Sequence, residues 1–145
     1  MLMSSVRTDR ALATHWLVGS VAALLFLLGS GLGAPAQAQS SPAATVDMTN
    51  ALEFAPDTVR VQAGETVRWT NGSVIVHTVT ADPDEATTDE SVRLPEGAAP
   101  FDSGTLDPNA RFEHTFEVPG TYRYFCIPHE GAKMYGTVIV APAEG

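Results

Sequence analysis

The chain has 145 residues, a single cysteine and a formal net charge of −9 at pH 7. One cysteine excludes an intramolecular disulfide, and the excess of 17 acidic over 8 basic side chains argues against nucleic acid as a partner. The length allows one domain after removal of a targeting segment, with a core large enough to fold without disulfides.

The N-terminal segment has the pattern of a secretory signal peptide. Arg7 and Arg10 precede an uncharged run at residues 16–34, and small residues at 36 and 38 predict a signal peptide at 1–38 with cleavage after Ala38. The alternative is a retained membrane anchor, because the run is just long enough to span a bilayer, although glycines and serines dilute its hydropathy. Either way the sequence predicts export, to a periplasmic or thylakoid-lumen-like space.

The rest of the chain has the pattern of an all-β protein. Short runs of β-branched and aromatic residues recur between turn signals at residues 45–48, 58–61, 66–70, 73–80, 111–117, 121–126 and 136–140. In the fourth run, a period of two places Ile75, His77 and Val79 on one face. We predict a β-sandwich domain at 46–141, with a flexible lead-in at 39–45 rich in serine, proline and alanine, and a tail at 142–145.

An acidic segment separates two of the predicted strands. Residues 82–100 are polar and carry Pro83 and Pro95, which predicts a long surface excursion. Seven acidic residues fall between positions 82 and 102, with Arg93 the only basic residue among them. This charge fits a docking site for a basic partner, and it fits equally a solvated loop adapted to a salty medium.

One loop near the C-terminus combines three donors that suit a metal. Cys126, His129 and Met134 lie between two predicted strands. A thiolate, an imidazole and a thioether favour copper over zinc, magnesium or calcium, and a cysteine with two histidines and a long axial methionine is the blue-copper site. The second histidine must come from elsewhere in the chain. The candidates are His77, on the strand predicted at 73–80, and His114, on the strand predicted at 111–117.

Residues 54–61, 64–71, 76–79, 101–104 and 126–136 resemble the small blue-copper proteins of the cupredoxin family, of the plastocyanin and halocyanin type. The resemblance covers residues 46–140 and implies a Greek-key β-sandwich. It implies that one copper ion is bound by the thiolate of Cys126, the imidazoles of His77 and His129, and the weak axial thioether of Met134. By the same resemblance His114 is not a ligand.

The resemblance implies an electron carrier whose copper cycles between Cu(I) and Cu(II), and not an enzyme, because filled coordination leaves no open position for a substrate. His129 would be the electron port, within a small apolar rim formed by Pro128, Gly131 and Ala132. The expected partners are redox proteins: a cytochrome complex, a c-type cytochrome, a photosystem or a terminal oxidase. We expect a monomer that contacts a membrane only through its partner or a retained N-terminal segment.

Several alternatives stand beside the electron carrier. A periplasmic copper carrier or storage protein would use similar donors, and a structural zinc site is possible, although zinc prefers further cysteine or histidine to methionine. Tyr124, two residues before Cys126, also matches the corner strand of immunoglobulin domains, but that fold needs a second cysteine for its disulfide. One departure from plastocyanins concerns Thr78, which follows His77 where they usually carry asparagine.

Overall fold

The computed structural model describes residues 41–144, so the predicted signal peptide lies outside the described residues. Within this range, nine strands form two sheets. The strands are β1 (Ala44–Met48), β2 (Phe54–Ala55), β3 (Thr58–Gln62), β4 (Glu65–Asn71), β5 (Thr80–Ala81), β6 (Phe101–Asp102), β7 (Arg111–Phe116), β8 (Gly120–Phe125) and β9 (Tyr135–Ala141). A 3-10 helix at Ile127–Ala132 connects β8 to β9.

The two sheets have the strand orders β2-β1-β4-β7 and β3-β9-β8-β5-β6. β1 pairs in parallel with β4, and β3 pairs in parallel with β9, while the other neighbours are antiparallel. Consecutive strands therefore often belong to different sheets, and the chain crosses between the layers repeatedly. This architecture confirms the predicted all-β sandwich.

The core between the sheets is built around Trp69. On β4 the buried side chains alternate with half-buried ones, as the period-two pattern of this segment predicts, and Trp69 is fully buried. Its ring lies between 5.4 and 6.4 Å, centroid to centroid, from the rings of Phe101, Phe112, Phe116 and Tyr124. Large aromatic side chains contribute most of the apolar area in such a core, so these contacts hold the two layers together.

β8 and β9 are held close together where Tyr124 lies opposite Gly136. A Cβ atom added at position 136 would lie 2.2 Å from Cζ of Tyr124, so only glycine leaves room for the ring. The same ring packs edge-on against Phe54 at 4.7 Å. This packing fixes the C-terminal end of β8 two residues before the chain reaches Cys126.

The strand predicted at residues 73–80 is mostly wrong. Residues 73–75 form bends, His77 makes only an isolated bridge to Leu106, and strand geometry begins at Thr80. The cause is the side chain of Asn71, whose Nδ2 donates to the carbonyl oxygens of Ile75 at 2.8 Å and Leu106 at 2.9 Å. Such bonds replace the ladder bonds that a strand would need. His77 is buried as predicted, but Ile75 is 37 % exposed.

The acidic segment at 82–100 contains no strand and is tied to the sandwich by an isolated bridge between Arg93 and Arg123 of β8. The short strand β2 and the 3-10 helix were not predicted. Within residues 41–144, no helix is both long and apolar enough to cross a membrane.

Candidate metal centre

The loop that follows β8 delivers the cysteine. Tyr124, Phe125 and Cys126 are all fully buried, so the strand carries its last residues and the thiol directly into the interior. The amide of Cys126 donates to the carbonyl oxygen of Met134 at 3.1 Å. This backbone hydrogen bond between Cys126 and Met134 closes the loop that carries the three candidate ligands.

Within the loop the chain makes a tight turn. The amide of His129 donates to the carbonyl oxygen of Cys126 at 3.0 Å, and the amide of Met134 donates to that of His129 at 3.3 Å. Lys133 ends the 3-10 helix with a φ of 60°, in the left-handed region, and its amide donates to the backbone carbonyl oxygen of Glu130. This reversal returns the chain to β9 and leaves Met134 only 1 % exposed.

His77 reaches the same place from a separate segment. Its backbone N–H and carbonyl both pair with Leu106, at 3.2 and 2.8 Å, and its ring is fully buried. Nε2 of the ring lies 3.0 Å from Oγ of Ser73, whose own proton has acceptors on Asn71 and Ile75. Oγ of Ser73 can therefore accept a hydrogen bond from Nε2–H, which leaves the lone pair of a neutral ring on Nδ1.

Three donor atoms meet at the end of the sandwich. Sγ of Cys126 lies 3.5 Å from Nδ1 of His77 and 3.2 Å from Nδ1 of His129, and the ligand atoms of the three residues all lie within 4.8 Å of one another. The two imidazole rings are 4.9 Å apart, centroid to centroid. Ligands bound at about 2.0–2.3 Å around one ion would be separated by such distances, so these residues fit a single soft metal ion.

The protonation equilibria also suit a cation. Burial lowers the pKa of His77, and the nearby His129 lowers it further, so the ring is neutral and can offer its lone pair. Burial raises the pKa of the Cys126 thiol, while hydrogen bonds from the backbone of Thr78 and His129 and from the Thr78 side chain act in the opposite direction. A bound metal ion would displace the thiol proton, because thiols ligate as thiolates.

Thr78 links the two ligand-bearing segments. Its amide donates to Sγ of Cys126 at 3.3 Å, and its hydroxyl oxygen accepts from the amide of Ile127 at 2.9 Å. The hydroxyl also lies 2.9 Å from that of Thr80, which donates to Asp102 at 2.7 Å. The amide of Thr78 thus donates to the sulfur, while its hydroxyl ties the two segments together.

His114, the rival candidate, lies elsewhere. It is on β7, in the four-stranded sheet, whereas the loop with Cys126 connects two strands of the five-stranded sheet. The ring of His114 is stacked 4.2 Å from that of Phe101 and packed edge-on against Phe116 at 4.8 Å. Burial lowers its pKa. It is half-buried among aromatic side chains, and it is not in the group formed by His77, Cys126 and His129.

The surface around the site is apolar on one side. His129 is half-buried, and Pro128, Gly131 and Ala132 are exposed, as expected for a rim. Sequence patterning missed a second apolar stretch immediately before His77, in which the exposed fractions are 80 % for Val74, 37 % for Ile75 and 42 % for Val76. The signal for this stretch was the Asn-Gly-Ser sequence at 71–73, which favours a turn over a continuous strand.

Glu130 is another residue that the sequence did not single out. It directly follows His129 and is only 7 % exposed. Burial alone would raise the pKa of its carboxyl group, but hydrogen bonds from Ser91, Thr87 and Thr88 outweigh burial and lower it. Glu130 is therefore a buried carboxylate beside the candidate metal centre.

Comparisons with known proteins agree with this geometry. A family model described as copper binding proteins of the plastocyanin/azurin family matches residues 42–141. Plastocyanin of Scenedesmus fuscus is 38 % identical over 96 residues, covering 63 % of this chain and 90 % of that protein. Chloroplastic plastocyanin of Tetradesmus obliquus is 36 % identical over 110 residues, covering 71 % of this chain and 70 % of that protein.

A solved structure, a purple cupredoxin from Nitrosopumilus maritimus, superposes with a TM-score of 0.52 and 26 % identity, over 68 % of this chain and 99 % of the other. These matches confirm the predicted resemblance, and together with the gathered histidines and cysteine they confirm copper as the cofactor. The chain belongs to the plastocyanin/azurin family of copper-binding proteins.

Proposed function

We propose that this protein is an exported blue-copper electron carrier in which His77, Cys126, His129 and Met134 hold one copper ion. The observation that carries the proposal is the convergence of two Nδ1 atoms and one Sγ atom from two separate segments. Met134 joins them because it is buried and its backbone pairs with both Cys126 and His129. When bound, copper supplies a one-electron couple between Cu(I) and Cu(II).

The residues of the chain keep the ligands in place during transfer. Two strands anchor the loop at its ends, and paired backbone bonds to Leu106 anchor His77 independently of the loop. Ligands fixed by rigid elements change little between two oxidation states, which favours rapid transfer. The amide of Thr78 and the thioether of Met134 would tune the reduction potential, because hydrogen-bond donors to the ligating sulfur and the weakest ligand control the potential of such a site.

Electrons would pass through the edge of His129. This ring is half-buried beside the exposed Pro128, Gly131 and Ala132, so a partner can approach it over a small apolar surface. Small interfaces of this kind suit the brief, weak contacts of redox partners. The partners are redox proteins, such as a cytochrome complex, a c-type cytochrome, a photosystem or a terminal oxidase, and the protein acts as a monomer and not as an enzyme.

The proposed location is a periplasmic or thylakoid-lumen-like space. The signal peptide pattern at 1–38 supports export, and two of the relatives named above are plastocyanins, one of them chloroplastic. The acidic segment at 82–100 would steer a basic partner towards the site. Transfer rates that fall as ionic strength rises would support this role, and rates insensitive to salt would contradict it.

The direct test is spectroscopic. The purified protein with one equivalent of Cu(II) should show an intense orange-red absorption band and a narrow copper hyperfine splitting, both lost reversibly with ascorbate. Cys126→Ser should abolish the intense band, because the thiolate is its source, while His114→Gln should retain it. A weak Cu(II) spectrum in the wild type, or an intense band in Cys126→Ser, would contradict the assignment and favour a copper carrier instead.

A further inference from the structure

Glu130 occupies an unusual position for an acidic side chain. Among residues 41–144 it is the only buried carboxyl group, and it directly follows His129 in the 3-10 helix. Burying a carboxylate is costly unless hydrogen bonds replace the lost water. The structure must therefore supply hydrogen-bond donors to the carboxylate of Glu130. The residues that supply them show which segment this side chain is attached to.

All of these donors come from residues 87–91, which we call the clasp segment. The amide of Thr87 donates to both carboxylate oxygens, at 3.0 and 3.2 Å, and its hydroxyl donates to Oε2 at 2.7 Å. The amide of Thr88 donates to Oε1 at 3.4 Å, and the hydroxyl of Ser91 donates to the same oxygen. The clasp segment belongs to the acidic excursion, roughly 40 residues upstream in sequence.

The clasp segment is itself held against the sandwich. Ser91 is fully buried, and its hydroxyl lies 2.9 Å from that of Thr88 and 3.3 Å from the hydroxyl of Tyr135. The guanidinium of Arg123 lies 4.9 Å from the centre of the Tyr135 ring. Backbone hydrogen bonds of 3.1 and 2.9 Å join Arg93 to Arg123. Glu130 is thus bound to a segment that β8 and β9 already fix.

We propose that Glu130 is a positioning residue that braces His129 through the clasp segment. Apart from the amide of Ile127, which donates to Thr78, the backbone hydrogen bonds of the loop run from the loop to itself, so they close the turn without fixing its outer side. The carboxylate of Glu130 supplies that outer attachment, one residue from the imidazole. The acidic excursion is therefore part of the support of the metal centre, and not only a charged surface. The effect on the metal rests on the proposed function, whereas the clasp itself does not.

Two substitutions separate the shape of this side chain from its charge. Glu130→Gln keeps the shape: its oxygen can accept from Thr88 and Ser91, and its NH2 group can donate to the hydroxyl of Thr87. Glu130→Ala removes the attachment altogether. Glu117→Gln is the matched control, because Glu117 is exposed and precedes the turn into β8, at the opposite end of that strand from Cys126.

The first readout uses the metal-free protein. Because the carboxylate accepts from both amides, Glu130→Ala should speed amide hydrogen exchange at Thr87 and Thr88 by about tenfold or more. Glu130→Gln should speed it less, and Glu117→Gln should leave it unchanged. Exchange that stays at the wild-type rate in Glu130→Ala would overturn the clasp. If Glu130→Ala fails to fold, Ser91→Ala provides the same comparison with one donor removed.

The second readout uses the copper-loaded protein. Glu130→Gln should raise the reduction potential, because a nearby negative charge favours the more oxidised ion. Glu130→Ala should also release copper to a chelator faster and alter the hyperfine splitting, while Glu130→Gln retains most of the wild-type values. Accelerated exchange with an unchanged potential, spectrum and release rate would overturn the positioning role. A wild type without the intense band would instead contradict the proposed function, leaving the exchange result to decide the clasp.

Discussion

The two segments that carry the candidate ligands are built differently. The loop from Cys126 to Met134 is held mainly by its own backbone bonds and by the two strands that flank it, with one side-chain attachment at Glu130. The segment before His77 is held by side chains, above all by Asn71 and Ser73, and by the bridge to Leu106. The arrangement of the loop follows mainly from the spacing of residues that are close in sequence. The arrangement of the His77 segment depends on residues that come together only in the fold.

This difference predicts where each segment is vulnerable. The loop should fail when the strands that anchor it are forced apart, and the His77 segment should fail when a single polar side chain is removed. A residue that joins the two segments should affect both weakly. A histidine outside both segments should affect only the stability of the sandwich.

The largest effect is expected from Gly136→Ala. The new methyl group would meet the ring of Tyr124, whose Cζ lies 2.2 Å from the position of the added Cβ. Overpacking of a buried contact should lower the free energy of unfolding by about 3 kcal/mol or more. Denaturant unfolding of the metal-free protein measures this loss. The control is Gly131→Ala in the same loop, where an added Cβ meets nothing within 4 Å.

Asn71→Ala should have the next largest effect, on the other segment. It removes the Asn71 donor from the carbonyl oxygens of Ile75 and Leu106, which keep only the hydroxyl of Ser73 and the amide of His77, respectively. The loss of these two bonds should cost about 2 kcal/mol of unfolding free energy. It should also weaken copper binding, because Ser73 loses a partner and no longer orients His77. Asn50→Ala, which removes one exposed bond to the amide of Val74, is the control. Equal losses in the two variants would contradict the special role of Asn71.

Thr78→Val should have a smaller effect on the contact between the segments. The amide of residue 78 still reaches the sulfur, but the amide of Ile127 loses its hydroxyl acceptor, at a cost of about 1 kcal/mol. The intense absorption band should remain, with a small shift in reduction potential measured by redox titration. Thr78→Ser keeps the hydroxyl and should behave as the wild type. A serine variant as unstable as the valine variant would show that the hydroxyl is not responsible.

The smallest effect concerns His114 and pH. Burial lowers the pKa of this histidine in the folded protein, so protonation favours the unfolded chain. Its contribution to stability is present at pH 7.5 and is lost as pH falls below its unfolded pKa of about 6.5. His114→Phe should therefore reduce the loss of stability between pH 7.5 and 5.5, measured on the metal-free protein. An identical pH dependence in wild type and variant would contradict the prediction.

Much of the fold could be predicted, because its longer strands alternate. β4, β7 and β8 lie close to their predicted positions, since one side of each faces a continuous core. β2 has two residues and the 3-10 helix has six, so neither is long enough to produce a recognisable period. The segment at 73–80 was mispredicted because Asn71 supplies bonds that hydrophobic patterning cannot register.

The candidate site was only partly accessible to the same reasoning. The spacing of Cys126, His129 and Met134 is local and could be identified directly, whereas His77 was separated from His114 by family resemblance. The contacts of Glu130 could not be predicted, because its partners lie about 40 residues away in a segment without regular structure. The signal peptide and the role of the acidic segment stay predictions.

The parallel pairing of β3 with β9 has a consequence for how the protein folds. Residues 58–62 are bonded to residues 137–141, which lie about 80 residues later in the chain. The second sheet can close only when these distant segments have met, and such non-local pairing slows folding. Until then the apolar side of β3 lacks its neighbour and is open to wrong partners. We expect the metal centre, whose loop directly precedes β9, to form with this pairing and not before it.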